Sequence, residues 1–189
     1  MNGKLKILGI AGSLRKDSYN KAILKAARDL VPDNAELEIF EKLGEIPLFN
    51  QDEENNPPEV VVEFKEKIRA ADAILFATPE YNYSIPGVLK NAIDWASRPY
   101  GDSAWGGKPV GIMSASGSLL GGARAQYHLR QSFVFLNMLP LNRPEVIIPE
   151  VDKKIDAQGK LTDEKTKDKI REFLSALVDW TTREEKALA

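Results

Sequence analysis

Short apolar runs alternate along the chain with longer segments in which apolar positions recur at helical spacing. Several of the runs are rich in β-branched residues, which is typical of strands in a sheet covered on both faces. The runs fall at 5–12, 37–40, 73–79, 109–116 and 145–150. The segments with helical spacing fall at 19–30, 58–70, 86–98, 121–138 and 162–182. Five strand–helix units in one chain predict a doubly wound parallel sheet.

The number of strands narrows the fold class. Five strands favour the flavodoxin-like order 2-1-3-4-5 over the six-stranded dinucleotide-binding fold. We therefore predict an α/β protein built as a flavodoxin-like three-layer sandwich around a five-stranded parallel sheet. The 189 residues contain no internal repeat, low-complexity tract or linker, so we expect residues 1–189 to form a single domain.

Charge and hydropathy exclude several classes of partner. The net charge is −2 with acids and bases interspersed, which offers no basic field for a nucleic-acid backbone. No apolar run approaches the roughly 18 residues that a membrane span needs. The first residues lead into a strand-like run without a cleavage site, so we expect a cytoplasmic protein that binds neither nucleic acid nor membrane.

The chain is poor in the residues that most redox and metal sites require. It has no cysteine, which excludes disulfides, thiolate metal sites and thiol redox catalysis. His128 is the only histidine and falls on a predicted helix, where we expect a packing or surface residue rather than a catalyst. We predict no metal site, and any redox chemistry must come from a bound cofactor.

Ligands of open α/β sheets bind beyond the carboxyl ends of the strands, which directs attention to loops 11–18, 78–86 and 114–122. The first loop precedes a helix, so backbone N–H groups and the positive helix end converge there. Ser13, Ser18 and Asn20 can donate hydrogen bonds, and Arg15 offers a charged fork that suits phosphate oxygens. The cluster favours an anion site over the alternative that Ser18 only caps the helix and Arg15 lies in solvent.

The common nucleotide and hydrolase fingerprints are absent. The segment GIAG lacks the third glycine of G-x-G-x-x-G, and the chain contains neither a P-loop nor a G-x-S-x-G turn. A loop of serines, one asparagine and one arginine instead suits a terminal phosphate monoester, whose three oxygens need several donors at once.

The second and third loops suit a flat ring. Pro79 and Pro86 restrain the second loop, which carries polar groups and two tyrosines that can lie along a heteroaromatic ring. The alternative is that both tyrosines are core or interface aromatics. In the third loop, small residues such as Ser116 and Gly117 either allow close approach to a ring edge or form a flexible turn.

Three segments carry a family resemblance. GSLRKDSYN (12–20), PEYNYSIPGVLKNAIDWASRP (79–99) and SASGSLLGGARAQ (114–126) together resemble the NADPH-dependent FMN reductase family, and within it the bacterial quinone and chromate reductase branch. The resemblance implies a flavodoxin-like fold with non-covalent FMN, reduced by NADPH or NADH and reoxidised by quinones, and often by chromate or azo compounds. It implies ping-pong transfer of a hydride or two electrons, carried by the flavin without a catalytic protein residue.

The resemblance also implies the roles of individual residues. Phosphate contacts fall on Ser13, Arg15, Ser18 and Asn20, ring contacts on Pro79, Glu80, Tyr81, Asn82 and Tyr83, and contacts near the other ring edge on Ser116 and Gly117. It further implies homodimers that pair into homotetramers, with flavin sites near subunit boundaries. Arg124 and Tyr127, with Glu145, can form a polar cluster across such a boundary; an intrachain salt bridge or a solvated face explains them equally well.

Two other functions use the same features. A flavodoxin-like electron carrier binds FMN without turning over NAD(P)H, and a sensor domain can bind a phosphate ligand through the first loop. Carriers tend to be strongly acidic, so the small net charge favours an enzyme. The sequence leaves open the physiological acceptor, the choice between NADH and NADPH, and the roles of loops 41–58 and 99–108, the latter either roofing a pocket or anchored by Trp105.

Overall fold

Six strands form one parallel sheet in the computed structural model, which describes residues 3–188. They are β1 Leu5–Ala11, β2 Ala35–Ile39, β3 Ala73–Thr78, β4 Pro109–Ala115, β5 Leu139–Pro140 and β6 Val146–Ile148. The order is β2-β1-β3-β4-β5, and β6 pairs with β4 beside β5. This order confirms the predicted flavodoxin-like topology.

The fifth position of the sheet differs from the prediction. In place of one strand over 145–150, β5 pairs with the start of β4 and β6 with its end, both in parallel. Pro140 has no N–H to donate, which limits the length of β5 as a ladder strand. The preceding helix ends earlier than the predicted residue 138, because Asn137 adopts a left-handed backbone with φ 53°.

Among residues 3–188, four α-helices lie between strands and a fifth follows β6, all close to their predicted positions. They are α1 Tyr19–Leu30, α2 Glu59–Ala70, α3 Gly87–Ala96, α4 Ala123–Leu136 and α5 Glu164–Leu188. The last helix starts where the Asp163 carboxylate accepts the Thr166 N–H at 2.9 Å, and it continues beyond the predicted end at 182. No helix among residues 3–188 is long and apolar enough to cross a membrane.

The helices bury both faces of the sheet. Helices α1 and α5 cover one face, where Ile7 and Leu75 of neighbouring strands point. Helices α2, α3 and α4 cover the other face, where Leu8 and Phe76 point. Alternate residues of each central strand therefore enter different cores, which explains why β3 and β4 are buried at every position.

Arg98, which follows α3, contacts both loop 41–58 and loop 99–108. The guanidinium of Arg98 lies 3.8 Å from the ring centroid of Tyr100 and 5.9 Å from that of Phe49. Trp105 is fully buried and donates from Nε1 to the Ile93 carbonyl at 3.0 Å, so this loop is anchored by its tryptophan. The hydrogen bond from Lys65 lowers the pKa of Asp102 and fixes the loop to α2.

Candidate cofactor site

Three loops meet at one edge of the sheet because the strands before them are neighbours. Strand β3 lies between β1 and β4, with Ala11 beside Ala77 and Thr78 beside Ser114. The second and third loops start close together: a Cβ placed on Gly122 would lie 3.6 Å from the backbone oxygen of Thr78. The loops after β1, β3 and β4 therefore form a single surface, as predicted for the carboxyl ends of parallel strands.

The first loop presents a hydroxyl, a helix start and an exposed guanidinium. Ser13 is buried, and its Oγ lies 3.4 Å from the phenolic oxygen of Tyr81 in the second loop. Ser18 caps α1, its Oγ accepting the Lys21 N–H at a long 3.4 Å. Arg15 is exposed and forms no salt bridge within residues 3–188. Ser18 therefore caps the helix through its oxygen, and its hydroxyl hydrogen is still available to an anion.

Asn20 has a structural task that its sequence position does not reveal. The side chain is buried, its Nδ2 donates to the Ala115 carbonyl at 3.0 Å, and its Oδ1 accepts the Ala115 N–H at 3.0 Å. This pair of hydrogen bonds joins the start of α1 to the end of β4. The phosphate contact expected of Asn20 therefore stays a prediction. Only the second hydrogen of its side-chain amide is available to make that contact.

The second loop is a tight two-residue hairpin. Tyr81 and Ser84 exchange backbone hydrogen bonds of 3.0 and 2.9 Å, and the two central residues, Asn82 and Tyr83, have φ angles of 50° and 68°. Positive φ at both positions is typical of a type I′ turn. Tyr81 and Tyr83 are 46% and 67% exposed, so they are not core aromatics and their rings are available to a ligand or a second subunit.

Helix α4 holds this hairpin. The Glu80 carboxylate accepts the Arg124 backbone N–H at 3.1 Å and also pairs with the Arg124 guanidinium. The guanidinium carbon lies 3.4 Å from the ring centroid of Tyr83. Glu80 raises the pKa of Arg124 through this hydrogen bond. Arg124 therefore forms the intrachain salt bridge that was one of the alternatives from the sequence. Tyr127 and Glu145 are exposed.

The sequence at the start of α4 indicates that this helix end needs a carboxylate, the role that Glu80 has. The residue that precedes α4 is Gly122, which has no side chain to cap the helix, and the first turn of α4 contains no acid. The free N–H groups and positive end of such a helix favour a carboxylate from elsewhere in the chain. Glu80 fills that position, and it was predicted only as a ring contact.

The third loop is fixed by the segment after β6. Ser116 donates its backbone N–H to the Ile148 carbonyl at 3.1 Å, and its carbonyl accepts the Val151 N–H at 3.2 Å. Gly117 is exposed, and a Cβ placed on it would lie 3.3 Å from Oδ1 of Asp152. The sequence did not point to this carboxylate, which lies beside the third loop.

The donor set fits FMN. Ser13, Ser18 and Arg15 supply hydroxyl and guanidinium donors of the kind that a phosphate monoester requires. The exposed rings of Tyr81 and Tyr83 and the small Gly117 lie on the other two loops, where a flat ring can pack.

Comparison with known proteins places the chain in a family. The sequence profile of the NADPH-dependent FMN reductase family matches residues 5–153. An NAD(P)H-dependent FMN reductase of Pseudomonas aeruginosa is 53% identical over 184 residues, which cover 97% of this chain and 98% of the relative. A quinone reductase of Escherichia coli K12 is 40% identical over 186 residues, 97% of this chain and 98% of the relative.

A solved structure has the same architecture. The flavoenzyme NAD(P)H:(acceptor) oxidoreductase FerB from Paracoccus denitrificans superposes with a TM-score of 0.88 at 37% identity. The superposition covers 95% of this chain and 98% of FerB. Since the family profile and full-length relatives agree with the topology and with the donors of the three loops, this chain belongs to the NADPH-dependent FMN reductase family.

Proposed function

We propose that this protein is an FMN-dependent NAD(P)H oxidoreductase that reduces quinones and other electrophilic acceptors, such as chromate or azo compounds. The observation that carries the proposal is the meeting of phosphate-type donors and exposed tyrosine rings on three adjacent loops. FMN, when bound, supplies the hydride and electron transfer. Relatives named quinone reductase support the choice of acceptor.

The protein contributes binding and orientation. In this proposal Ser13, Arg15 and Ser18 bind the phosphate, and the exposed Arg15 is the group that neutralises its charge. Residues 79–83 of the second loop would support the ring on one side, and Ser116 with Gly117 would lie near its other edge. This arrangement would leave one ring face accessible to NAD(P)H and to the acceptor in turn, which is the reason to expect ping-pong kinetics.

An electron carrier remains the alternative function, and turnover separates the two. We expect the purified protein to carry FMN and to oxidise NADPH or NADH when a benzoquinone is present. Double-reciprocal plots at several quinone concentrations should be parallel, since donor and acceptor share one face. A phosphate sensor would show no bleaching of added FMN by NADPH under anaerobic conditions, and a carrier would show none without a separate reductase. Either result, or converging plots, contradicts the proposal.

We also propose that the protein forms dimers that pair into tetramers in the cytoplasm, where its donor NAD(P)H is available. The outer side of α4 supports a subunit contact: Tyr127, Val134 and Phe135 are 54%, 84% and 79% exposed. Large exposed apolar side chains on one side of a helix, here called the apolar patch, are typical of an interface. Tyr127 and Glu145 remain candidates for the polar part of that contact, whereas Arg124 is already paired with Glu80.

Charges placed in the apolar patch should separate the subunits. Val134→Asp with Phe135→Ser is expected to lower the mass measured by light scattering, because burying an unpaired carboxylate in an interface is unfavourable. Val62→Asp is the matched control, since Val62 is 40% exposed on α2, away from this patch. An unchanged mass in the double variant would exclude this side of α4 as a contact.

A further inference from the structure

We propose that Arg124 and His128 are positioning residues that hold the hairpin Tyr81–Ser84 in its ring-binding conformation. The inference rests on the proposed function, because it assumes that the hairpin supports the flavin ring. It adds two residues outside the three ligand loops to the machinery that binds the cofactor. Both lie on α4, one helical turn apart, so they share a helix face.

The hairpin requires external support because its backbone is unfavourable. Asn82 and Tyr83 both have left-handed φ angles. Asparagine tolerates this conformation, and the second position of a type I′ turn is usually glycine. For a bulky residue such as Tyr83 the left-handed conformation is strained, and such residues persist only where surrounding contacts outweigh the strain.

Arg124 supplies contacts at the entry and the turn. Its guanidinium lies over the Tyr83 ring at 3.4 Å, which is a cation–π arrangement. The same guanidinium pairs with Glu80, whose carboxylate also accepts the Arg124 backbone N–H. Because the side chain of Glu80 is only 9% exposed, this pair has a fixed position relative to the start of α4.

His128 supplies the contact at the exit. Its Nδ1 lies 3.0 Å from the Oγ of Ser84, the residue that closes the hairpin. One face of α4 therefore touches Glu80 before the hairpin, Tyr83 at its turn and Ser84 at its end. His128, the only histidine of the chain, therefore has a structural use that does not involve proton transfer.

The fraction of molecules with the hairpin in the observed conformation affects how tightly FMN binds. If the hairpin adopts the observed conformation for only a fraction of the time, the measured FMN Kd rises by the inverse of that fraction. Loss of either contact should lower the fraction without disturbing the core, since Tyr81 and Tyr83 are exposed. Flavin affinity should therefore change more than stability.

The test measures the FMN Kd of the apoprotein by flavin fluorescence, with thermal melting and light scattering in parallel. Arg124→Ala and His128→Leu are each expected to raise the Kd by about tenfold or more. His128→Asn, which keeps a hydrogen-bonding group near Ser84, should stay within about threefold of the parent protein. Gln131→Ala is the control, since Gln131 is exposed on the same helix one turn further on.

A second comparison tests whether Arg124 acts through Tyr83. Tyr83→Gly removes both the ring under the guanidinium and the cost of the left-handed backbone, so adding Arg124→Ala to that variant should change the Kd far less than it does in the parent protein. Equal effects in both backgrounds overturn the proposal. If Arg124→Ala does not fold, Arg124→Lys is measured in the same two backgrounds, because it keeps the ion pair but lacks the planar group over Tyr83.

The outcomes distinguish this inference from the proposed function. If the parent protein does not bind FMN, the proposed function fails. If it binds FMN and both Arg124→Ala and His128→Leu bind equally tightly, only the positioning role fails. A weaker affinity that always accompanies a lower mass also overturns the inference, because the two residues would then act through a subunit contact.

Discussion

Arg15→Ala combined with Ser18→Ala is expected to release FMN while the fold remains intact. Hydrogen bonds to a charged group contribute about 1.5–3 kcal/mol each, so losing two raises the FMN Kd by about 100-fold or more. Arg15 is exposed and outside both cores, so its loss leaves the packing unchanged. Loss of the Ser18 cap should cost about 1 kcal/mol of stability.

The measurement is a fluorescence titration of the apoprotein with FMN and with riboflavin. Riboflavin lacks the phosphate, so its Kd should be nearly the same in the parent protein and the double variant. Lys16→Ala is the matched control, because Lys16 is an exposed cation of the same loop with no predicted phosphate contact. Equal losses for FMN and riboflavin would show that the substitutions disturb the ring site and leave no case for a phosphate site at this loop.

The parts of the fold that the sequence predicted are those that depend on local patterns. The strand β4, PVGIMSA, is buried at every position, and an apolar run of that kind indicates a sheet covered on both faces. The split edge was missed for a physical reason. Two residues containing a proline, Leu139–Pro140, carry no periodic signal, and only their register against Pro109 and Val110 makes them a strand.

The candidate site likewise has features that the sequence predicts and features that it does not. The positions of the three loops follow from strand order, and the alternation of strands and helices predicts that order. The partners of Asn20 and Arg124 do not follow, because Ala115 lies 95 residues from Asn20 and Glu80 lies 44 residues from Arg124. Short motifs give residue types suited to a chemistry, and tertiary contacts decide which of those residues are already engaged.

Asn20→Ala is expected to lower the free energy of unfolding of the apoprotein by about 2–6 kcal/mol, because a buried polar group left unpaired costs about 1–3 kcal/mol and this change leaves two. These are the N–H and the carbonyl of Ala115, which the Asn20 side chain pairs at 3.0 Å each. Urea unfolding of the FMN-free protein measures the change.

Ser13→Ala provides the contrast that assigns Asn20. Ser13 is as buried as Asn20, yet its hydroxyl makes only the 3.4 Å contact with Tyr81, so its removal should cost less than about 1 kcal/mol of stability. It should nevertheless weaken FMN binding. If Asn20→Ala instead unfolds like the parent protein and loses only FMN affinity, then Asn20 serves the phosphate directly. If Asn20→Ala loses stability and Ser13→Ala does not, Asn20 sets the distance between the first loop and β4. The phosphate is then held by Ser13, Arg15 and Ser18.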